Sequence, residues 1–152
     1  MPAVSTDRIE KQIVINAPRT KVWKALTEID QFKKWFGADL DKGFAPGTRT
    51  KGHVTEKGWE HIQVDITVER MEPEHTFTLR WLPFAVDPKR DYSKESRTLV
   101  EFTLAEVGGG TQVTVVESGF EQLFADRRAE AFKMHEGGWE GQLKNIKKYA
   151  ER

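Results

Sequence analysis

The chain has 152 residues, long enough for one ordinary domain that buries about two-thirds of its unfolded surface without disulfides or metals. Lysine plus arginine and aspartate plus glutamate number 24 each, so the formal net charge is zero and no overall field favours DNA, RNA or an anionic membrane. The absence of cysteine excludes disulfides, thiolate catalysis and iron–sulfur sites. Aromatic residues make up 11% of the sequence, with five tryptophans, and a core or a binding site must accommodate these rings.

We expect no targeting or membrane segment in this sequence. No stretch approaches the roughly 20 apolar residues that cross a bilayer, and residues 1–10 lack the basic and then apolar profile of a secretory signal. We therefore expect a cytoplasmic protein without a membrane span. The balanced charge predicts no nucleic-acid partner, and binding of a small molecule, the leading hypothesis below, requires no cofactor. We also expect a single domain over residues 1–152, with an ordered core over residues 8–150.

The first elements in chain order are predicted to be a strand and two short helices. The isoleucines of residues 8–16 share one parity, which is typical of a strand. Pro18 then opens a helix, because its missing N–H would be unpaired at that position in any case. A second short helix over residues 30–36 stops at Gly37.

The middle of the chain is predicted to form strands. Residues 37–58 are polar and glycine-rich, and they contain a weak strand over residues 48–55, where we place a sheet edge. The clearest strand covers residues 59–69, in which apolar residues occupy even positions and polar residues mostly occupy odd ones. After a turn, a further strand covers residues 76–82.

The last part of the chain is predicted to hold a loop, a hairpin and a helix. Residues 85–96 are rich in charge and show no apolar period, so they indicate a long exposed loop of the kind that flanks a binding mouth. Strands over residues 98–107 and 111–118 are joined by a glycine turn. Residues 126–152 repeat apolar side chains at spacings of three and four and predict a long helix.

This order of elements predicts an α+β fold. A meander of about five strands follows the first strand and the two short helices, and a curved antiparallel sheet must cover its apolar face with the last helix. About six strands against one long helix leave room for a cavity.

Three segments carry a resemblance to a known family. They are residues 16–27 (NAPRTKVWKALT), the pair Trp35-Phe36, and residues 135–143 (HEGGWEGQL). On these residues the chain resembles the START/Bet v 1-like (SRPBCC) superfamily, and more narrowly its branch related to the C-terminal domain of the activator of Hsp90 ATPase. The resemblance covers nearly the whole chain and implies the helix-grip fold, in which the last helix lies across an antiparallel sheet and encloses a largely apolar pocket. It implies no single activity, because such folds host lipid carriers, hormone receptors, polyketide cyclases, resistance proteins and co-chaperone domains.

Two polar residues are predicted to face the interior. Glu117 continues the inward parity of Val113 and Val115, where a carboxylate is costly unless it is paired or protonated. His135 lies on the apolar stripe of the last helix, four residues before Trp139. Such a pair could bind the polar end of a ligand or act as general base and acid. The plainer alternatives are a strand end that reaches solvent and a histidine satisfied within the core.

The aromatic residues could line the same pocket and stack on a flat or apolar ligand, although core packing would also explain them. Trp59, at the odd-parity start of its strand, is a further aromatic candidate. No catalytic residue is assigned. The predicted ligand-binding residues are Trp35, Phe36, Trp81, Phe102, Glu117, Phe132, His135, Trp139 and Leu143.

Three glycines interrupt the predicted last helix. Gly137, Gly138 and Gly141 each cost about 0.5–1 kcal/mol relative to alanine in a helix interior. The missing side chains either let the helix approach the sheet closely, leave pocket volume beside Trp139, or mark a kink.

Motifs for other chemistries are incomplete. His135-Glu136 begins like a zinc-protease helix, but Trp139 stands where the second histidine ligand would be, so no metal is expected. The glycine turn at residues 108–110 precedes a strand rather than a helix, which removes a phosphate site. No G-x-S-x-G elbow occurs to hold a hydrolase nucleophile.

The leading functional hypothesis is the binding of a small apolar or aromatic molecule, lipid-like or polycyclic, in a cavity between the sheet and the last helix. The alternative is a co-chaperone-like protein-interaction module with a chaperone as partner, although the additional N-terminal domain of the full Hsp90 activator is not found in this sequence. A further alternative is a cyclase- or hydrolase-type enzyme that uses the cavity. We expect binding rather than catalysis.

Overall fold

A seven-stranded antiparallel sheet forms the frame of the residues that the computed structural model describes, which are 7–83, 87 and 89–152. Residues 1–6 of the predicted domain and residues 85, 86 and 88 of the predicted loop lie outside the described residues. In chain order the elements are β1 (Arg8–Ile15), α1 (Arg19–Thr27), α2 (Ile29–Phe36), β2 (Ala38–Leu40), β3 (Arg49–Val54), β4 (Gln63–Glu72), β5 (Thr76–Trp81), β6 (Thr98–Val107), β7 (Gly110–Ser118), a 3-10 helix (Phe120–Gln122) and α3 (Arg128–Ala150).

The strands lie in the order β1-β7-β6-β5-β4-β3-β2, and every neighbouring pair is antiparallel. The predicted α+β fold is confirmed, with two short helices after the first strand and a long helix at the C-terminal end. A bulge between Val68 and Arg70 bends β4 and helps the sheet to curve.

The sheet has one strand more than expected, because the short β2 pairs with β3. Ala38 and Leu40 are buried on either side of the exposed Asp39. Leu40 pairs with Gly52, where an added Cβ would lie 1.6 Å from the carbonyl oxygen of Asp39. Only glycine therefore allows β3 to approach β2 this closely.

The clearest predicted strand is present as β4, but its predicted start at residue 59 is wrong. Val64, Ile66 and Val68 are buried at even positions, as the alternation predicts. Residues 59–62 instead form a turn, in which the backbone N–H of Ile62 donates to the carbonyl of Trp59. The indole of Trp59 is consequently 44% exposed.

Helix α3 covers the concave apolar face of the sheet and packs along β1, α1 and α2. Its buried stripe consists of Ala131, Trp139, Leu143, Ile146 and Ala150, which recur at the helical period. The three helix glycines lie on the exposed side. An added Cβ at any of them would meet no atom within 4 Å, so close packing against the sheet does not explain them.

The described part of the predicted loop, residues 87 and 89–96, forms no helix or strand, but it is not wholly exposed. Tyr92 and Glu95 are each 5% exposed. The prediction of an exposed loop is wrong at these two positions because Arg127, just before α3, pairs with Glu95 and lies over the ring of Tyr92.

Candidate functional site

A wholly buried carboxylate lies at the centre of the site. Glu117 is on β7, between β1 and β6, where it pairs with Ile9 on one side and Val100 on the other. Its side chain has no exposed surface. Val113 and Val115 are buried on the same face, as the strand parity predicts.

Four side-chain donors surround this carboxylate. Oε2 of Glu117 accepts from Trp81 Nε1 at 2.7 Å and from Thr98 Oγ1 at 2.5 Å. Oε1 accepts from Trp139 Nε1 at 2.8 Å and lies 2.6 Å from His135 Nδ1. The donors come from β5, β6 and α3, so the carboxylate joins the sheet to the helix that covers it.

These donors determine the charge of Glu117. Burial by itself raises the pKa of the Glu117 carboxyl, but the positive charge and the hydrogen bond of His135, with the bonds from Thr98 and Trp81, lower that pKa below its ordinary value of 4.5. The carboxylate is therefore ionised at neutral pH. Because an ionised carboxylate can only accept, the proton between the two groups lies on Nδ1 of His135.

The imidazole of His135 is held between the core and the surface, with 15% of the side chain exposed. Its ring meets Trp81 edge-on at 5.6 Å and Phe120 edge-on at 5.7 Å between centroids. Trp81 in turn stacks on Trp139 at 5.5 Å. Among the described residues no group is hydrogen bonded to Nε2 of His135.

A cleft of about 470 Å³ opens beside this imidazole, between the sheet and α3. A recess of about 160 Å³ shares five of its lining residues and adds Gly138 and Trp139. Trp59 and Met134, each 44% exposed, lie where the cleft meets solvent. The cleft is lined by Phe36, Gly37, Val54, Glu56, Trp59, Ile62, Gln63, Val64, Trp81, Leu82, Met134, His135 and Gln142.

The structure brings four of the predicted ligand-binding residues to the cleft or its recess. They are Phe36, Trp81, His135 and Trp139. Trp59, whose parity pointed away from the interior, also lines the cleft because its strand begins later than expected.

The other five predicted residues lie behind the lining. Trp35 is buried and donates from Nε1 to the carbonyl of Ala25 at 2.6 Å. Phe102 packs edge-on against Trp139, and Phe132 packs against Phe120. The remaining two, Glu117 and Leu143, are buried below the cleft.

Several lining residues were not among the predicted ligand-binding residues, although pocket volume beside Trp139 was one explanation offered for Gly138, which lines the recess with Trp139. Gln142 and Gly138 follow His135 by seven and three positions, which places all three along one side of α3. That helical spacing was the available signal. Ile62 and Gln63 had no comparable signal, since the turn before β4 brings them to the cleft.

The described residues hold no cluster of three or more potential metal-ligating side chains. Within the same residues, none of the helices combines the length and the apolar character needed to cross a membrane.

The fold and the cleft define a helix-grip domain. The family model for activator of Hsp90 ATPase homolog 1-like proteins matches residues 16–151, so the chain belongs to this family. The resemblance noted in the sequence is thereby confirmed. No curated protein sequence matches the chain.

Solved structures share the fold. Protein MLL2253 from Mesorhizobium loti is 24% identical with a TM-score of 0.73, over 93% of this chain and 95% of that one. The Aha1 dimer from Colwellia psychrerythraea is 23% identical with a TM-score of 0.69, over 95% and 96% of the two chains. DynU16, a protein of the dynemicin biosynthetic locus, is 23% identical with a TM-score of 0.71, over 95% of this chain but 47% of its own. At these identities the likeness shows the fold alone.

Proposed function

We propose that the protein binds a small, largely apolar or flat aromatic molecule in the cleft between the sheet and α3. The observation that carries the proposal is the cleft itself. Its volume of about 470 Å³ lies in the range of small-molecule sites, about 300–1,000 Å³. Its walls combine aromatic and aliphatic side chains with a few polar groups, which is typical of such sites.

The aromatic walls favour a flat ligand. Phe36 and Trp81 form a tilted pair at 5.8 Å between ring centroids, and both line the cleft. Trp59 adds a partly exposed indole whose ring contact within the described residues is with His61. Rings of this kind stack on planar molecules and bury large apolar areas.

The polar groups of the cleft favour a neutral ligand. The described lining residues include Glu56 but no lysine or arginine, so an anionic ligand would find no fixed positive partner besides a protonated His135. Gln63 and Gln142 offer neutral amide groups. Glu117 acts on a ligand through His135, because its own oxygens are buried and bonded to four donors.

The experiment is a fluorescence titration with N-phenyl-1-naphthylamine, a neutral aromatic dye. We expect saturable binding at one site. Trp59→Ala and Met134→Ala should each weaken the affinity for the dye by about fivefold or more, because both side chains border the cleft. Both side chains are also partly exposed, so we expect the two variants to fold normally.

Val14→Ala is the matched control, because Val14 is an equally exposed apolar residue, 51% exposed, on β1 and outside the cleft lining. It should leave the affinity unchanged. Binding that fails to saturate, or that falls equally in all three variants, would overturn the proposal.

A second candidate is a protein-interaction role like that of a co-chaperone. Family membership favours it, together with the similarity to Aha1 from Colwellia psychrerythraea over 96% of that chain. This role agrees with the cytoplasmic location that we propose from the cysteine-free sequence. It is tested by adding the Hsp90-type chaperone of the host to the purified protein and measuring co-sedimentation, and the absence of a complex would reject it.

A further inference from the structure

The imidazole of His135 lines the cleft and has one nitrogen, Nε2, that Glu117 does not hold. Its Nδ1 lies 2.6 Å from Oε1 of the fully buried Glu117, so that edge of the ring faces the core. Nε2 is on the opposite side of the ring, and His135 lines both the cleft and the recess. Nε2 therefore needs a partner from the ligand or from solvent.

The ring cannot easily turn to present another atom. Trp81 and Phe120 meet it edge-on at 5.6 and 5.7 Å between centroids. Glu117 is itself held by Trp81, Trp139 and Thr98. This arrangement makes Glu117 a positioning residue, which selects the ring orientation and keeps the proton on Nδ1.

The two protonation states of this ring require different partners at Nε2. In the neutral ring Nε2 is an acceptor, and in the charged ring it is a donor. An acidic hydroxyl suits both states, because it donates as a neutral group and accepts as an oxyanion. An ether or a hydrocarbon has no donor and would leave Nε2 unpaired in the neutral ring. A carboxylate has no donor either, and its negative charge would lie in a cleft whose described lining includes Glu56 but no lysine or arginine.

We infer that His135 is the specificity-determining residue of the cleft and recognises an acidic hydroxyl, a phenol or an enol, on a planar ligand. The inference rests on the proposed function and names the ligand class for the same site. The hydroxyl oxygen bonds to Nε2 while the planar part lies among the aromatic side chains of the cleft.

The test compares two ligands of nearly the same shape, 7-hydroxycoumarin and 7-methoxycoumarin, by calorimetric titration of the full chain at neutral pH. We expect the hydroxyl compound to bind about tenfold more tightly, since the methoxy compound leaves Nε2 without a donor in the neutral ring. Nitrogen NMR of His135 supplies an independent readout. The Nε2 resonance should shift with the hydroxyl compound and not with the methoxy compound, while Nδ1 stays protonated.

Two variants separate recognition from packing. In His135→Asn the side-chain amide nitrogen replaces Nδ1 and keeps a donor for Glu117, but the variant lacks an atom in place of Nε2. The preference for the hydroxyl compound should therefore disappear, with the affinity for the methoxy compound retained. In His135→Gln the amide nitrogen replaces Nε2 instead, and part of the preference should return.

Failure of the inference differs from failure of the proposed function. If both coumarins bind equally and His135→Asn changes neither affinity, while Trp59→Ala weakens both, the inference is overturned and the cleft remains a binding site. If neither coumarin nor the naphthylamine dye binds, the proposed function itself fails and the inference falls with it.

Discussion

Glu95 and Glu117 are both buried glutamates, but the protein holds them in different ways. Glu95 meets a full positive charge, because Nη2 of Arg127 lies 2.6 Å from its Oε1 and Nε lies 3.0 Å from both oxygens. The backbone N–H of Phe124 donates to Oε2 at 3.0 Å, and Arg127 also donates to the carbonyl of Pro83. The pair joins the loop before β6 to the start of α3.

Glu117 is held by three uncharged donors and one titratable group. The indoles of Trp81 and Trp139 and the hydroxyl of Thr98 satisfy most of its lone pairs. Among the described residues, His135 is the one ionisable group that is hydrogen bonded to Glu117. Unlike Arg127, His135 borders an open cleft. The pair of Glu95 and Arg127 is therefore a structural ion pair. The network around Glu117 differs because its outermost member, His135, can contact a ligand in the cleft.

The largest effect is expected where a buried charge loses the cation that is hydrogen bonded to it. Arg127→Met leaves Glu95 buried without Arg127 and should lower the free energy of unfolding by about 3–5 kcal/mol, measured by urea denaturation. The double variant Arg127→Met with Glu95→Met should recover much of that loss, because no unpaired charge remains. A loss below about 1 kcal/mol in the single variant would show that the pair is not structural.

The next effect is expected at Glu117. In Glu117→Gln an amide NH₂ replaces one oxygen and faces donors, so at least one buried donor loses its acceptor. The free energy of unfolding should fall by about 1–3 kcal/mol, again measured with urea.

Thr98→Val is the matched control for Glu117→Gln, since it removes one of the four hydrogen bonds and keeps the carboxylate. Its cost should be about 1 kcal/mol. If Thr98→Val costs as much as Glu117→Gln, the shape of the core rather than the carboxylate network holds β7 to α3.

Local patterns indicated that two members of the second network, Glu117 and His135, face the interior, but they indicated nothing about the first pair. The parity of β7 placed Glu117 inward, and the helical period placed His135 near it, because both residues lie in long regular elements with strong apolar periods. Arg127 and Glu95 lie in irregular segments 32 positions apart, where neither residue has a periodic neighbour. Sequence spacing could not predict their contact, because the two residues come together only through the path of the loop in the folded chain.

The strands also show which features can be predicted from local patterns and which cannot. The alternation of Val64, Ile66 and Val68 predicted a strand with a buried face, which is present. The turn at residues 59–62 and the strand Ala38–Leu40 were missed, because a three-residue strand is too short to show a period and depends on Gly52 of its neighbour. The turn contributes Trp59 and Ile62 to the cleft, which is one reason why the cleft lining was predicted only in part.

A smaller effect is expected from protonation of Glu117. Its pKa is lowered in the folded protein, so the native state binds fewer protons than the unfolded chain as the pH falls below about 4.5. The stability contributed by Glu117 is present above that pH and is lost as the pH falls through the lower, folded pKa. The loss should be smaller than that caused by Glu117→Gln, since both oxygens stay in place.

Urea titrations at several pH values between neutral pH and the acid limit measure this loss. Other paired carboxylates, such as Asp65, whose pKa is also lowered despite its burial by the nearby Arg49 and Arg97, contribute to the same slope. The relevant quantity is therefore the difference between the wild type and Glu117→Gln, which should shrink toward acid pH. A difference that stays constant would mean that the pKa of Glu117 is the same in the folded protein and the unfolded chain.

The smallest effect on stability is expected from alanine substitutions at the three helix glycines, which also separate an effect on folding from an effect on binding. Gly137→Ala, Gly138→Ala and Gly141→Ala should each raise the free energy of unfolding by about 0.5–1 kcal/mol, because alanine favours a helix and the new methyl group meets no atom within 4 Å.

Gly138 alone of the three lines the recess beside Trp139. Its methyl group would occupy ligand volume, so Gly138→Ala should weaken binding of the naphthylamine dye while the other two variants leave it unchanged. Equal weakening in all three would mean that helix flexibility, rather than the open volume at Gly138, determines the affinity.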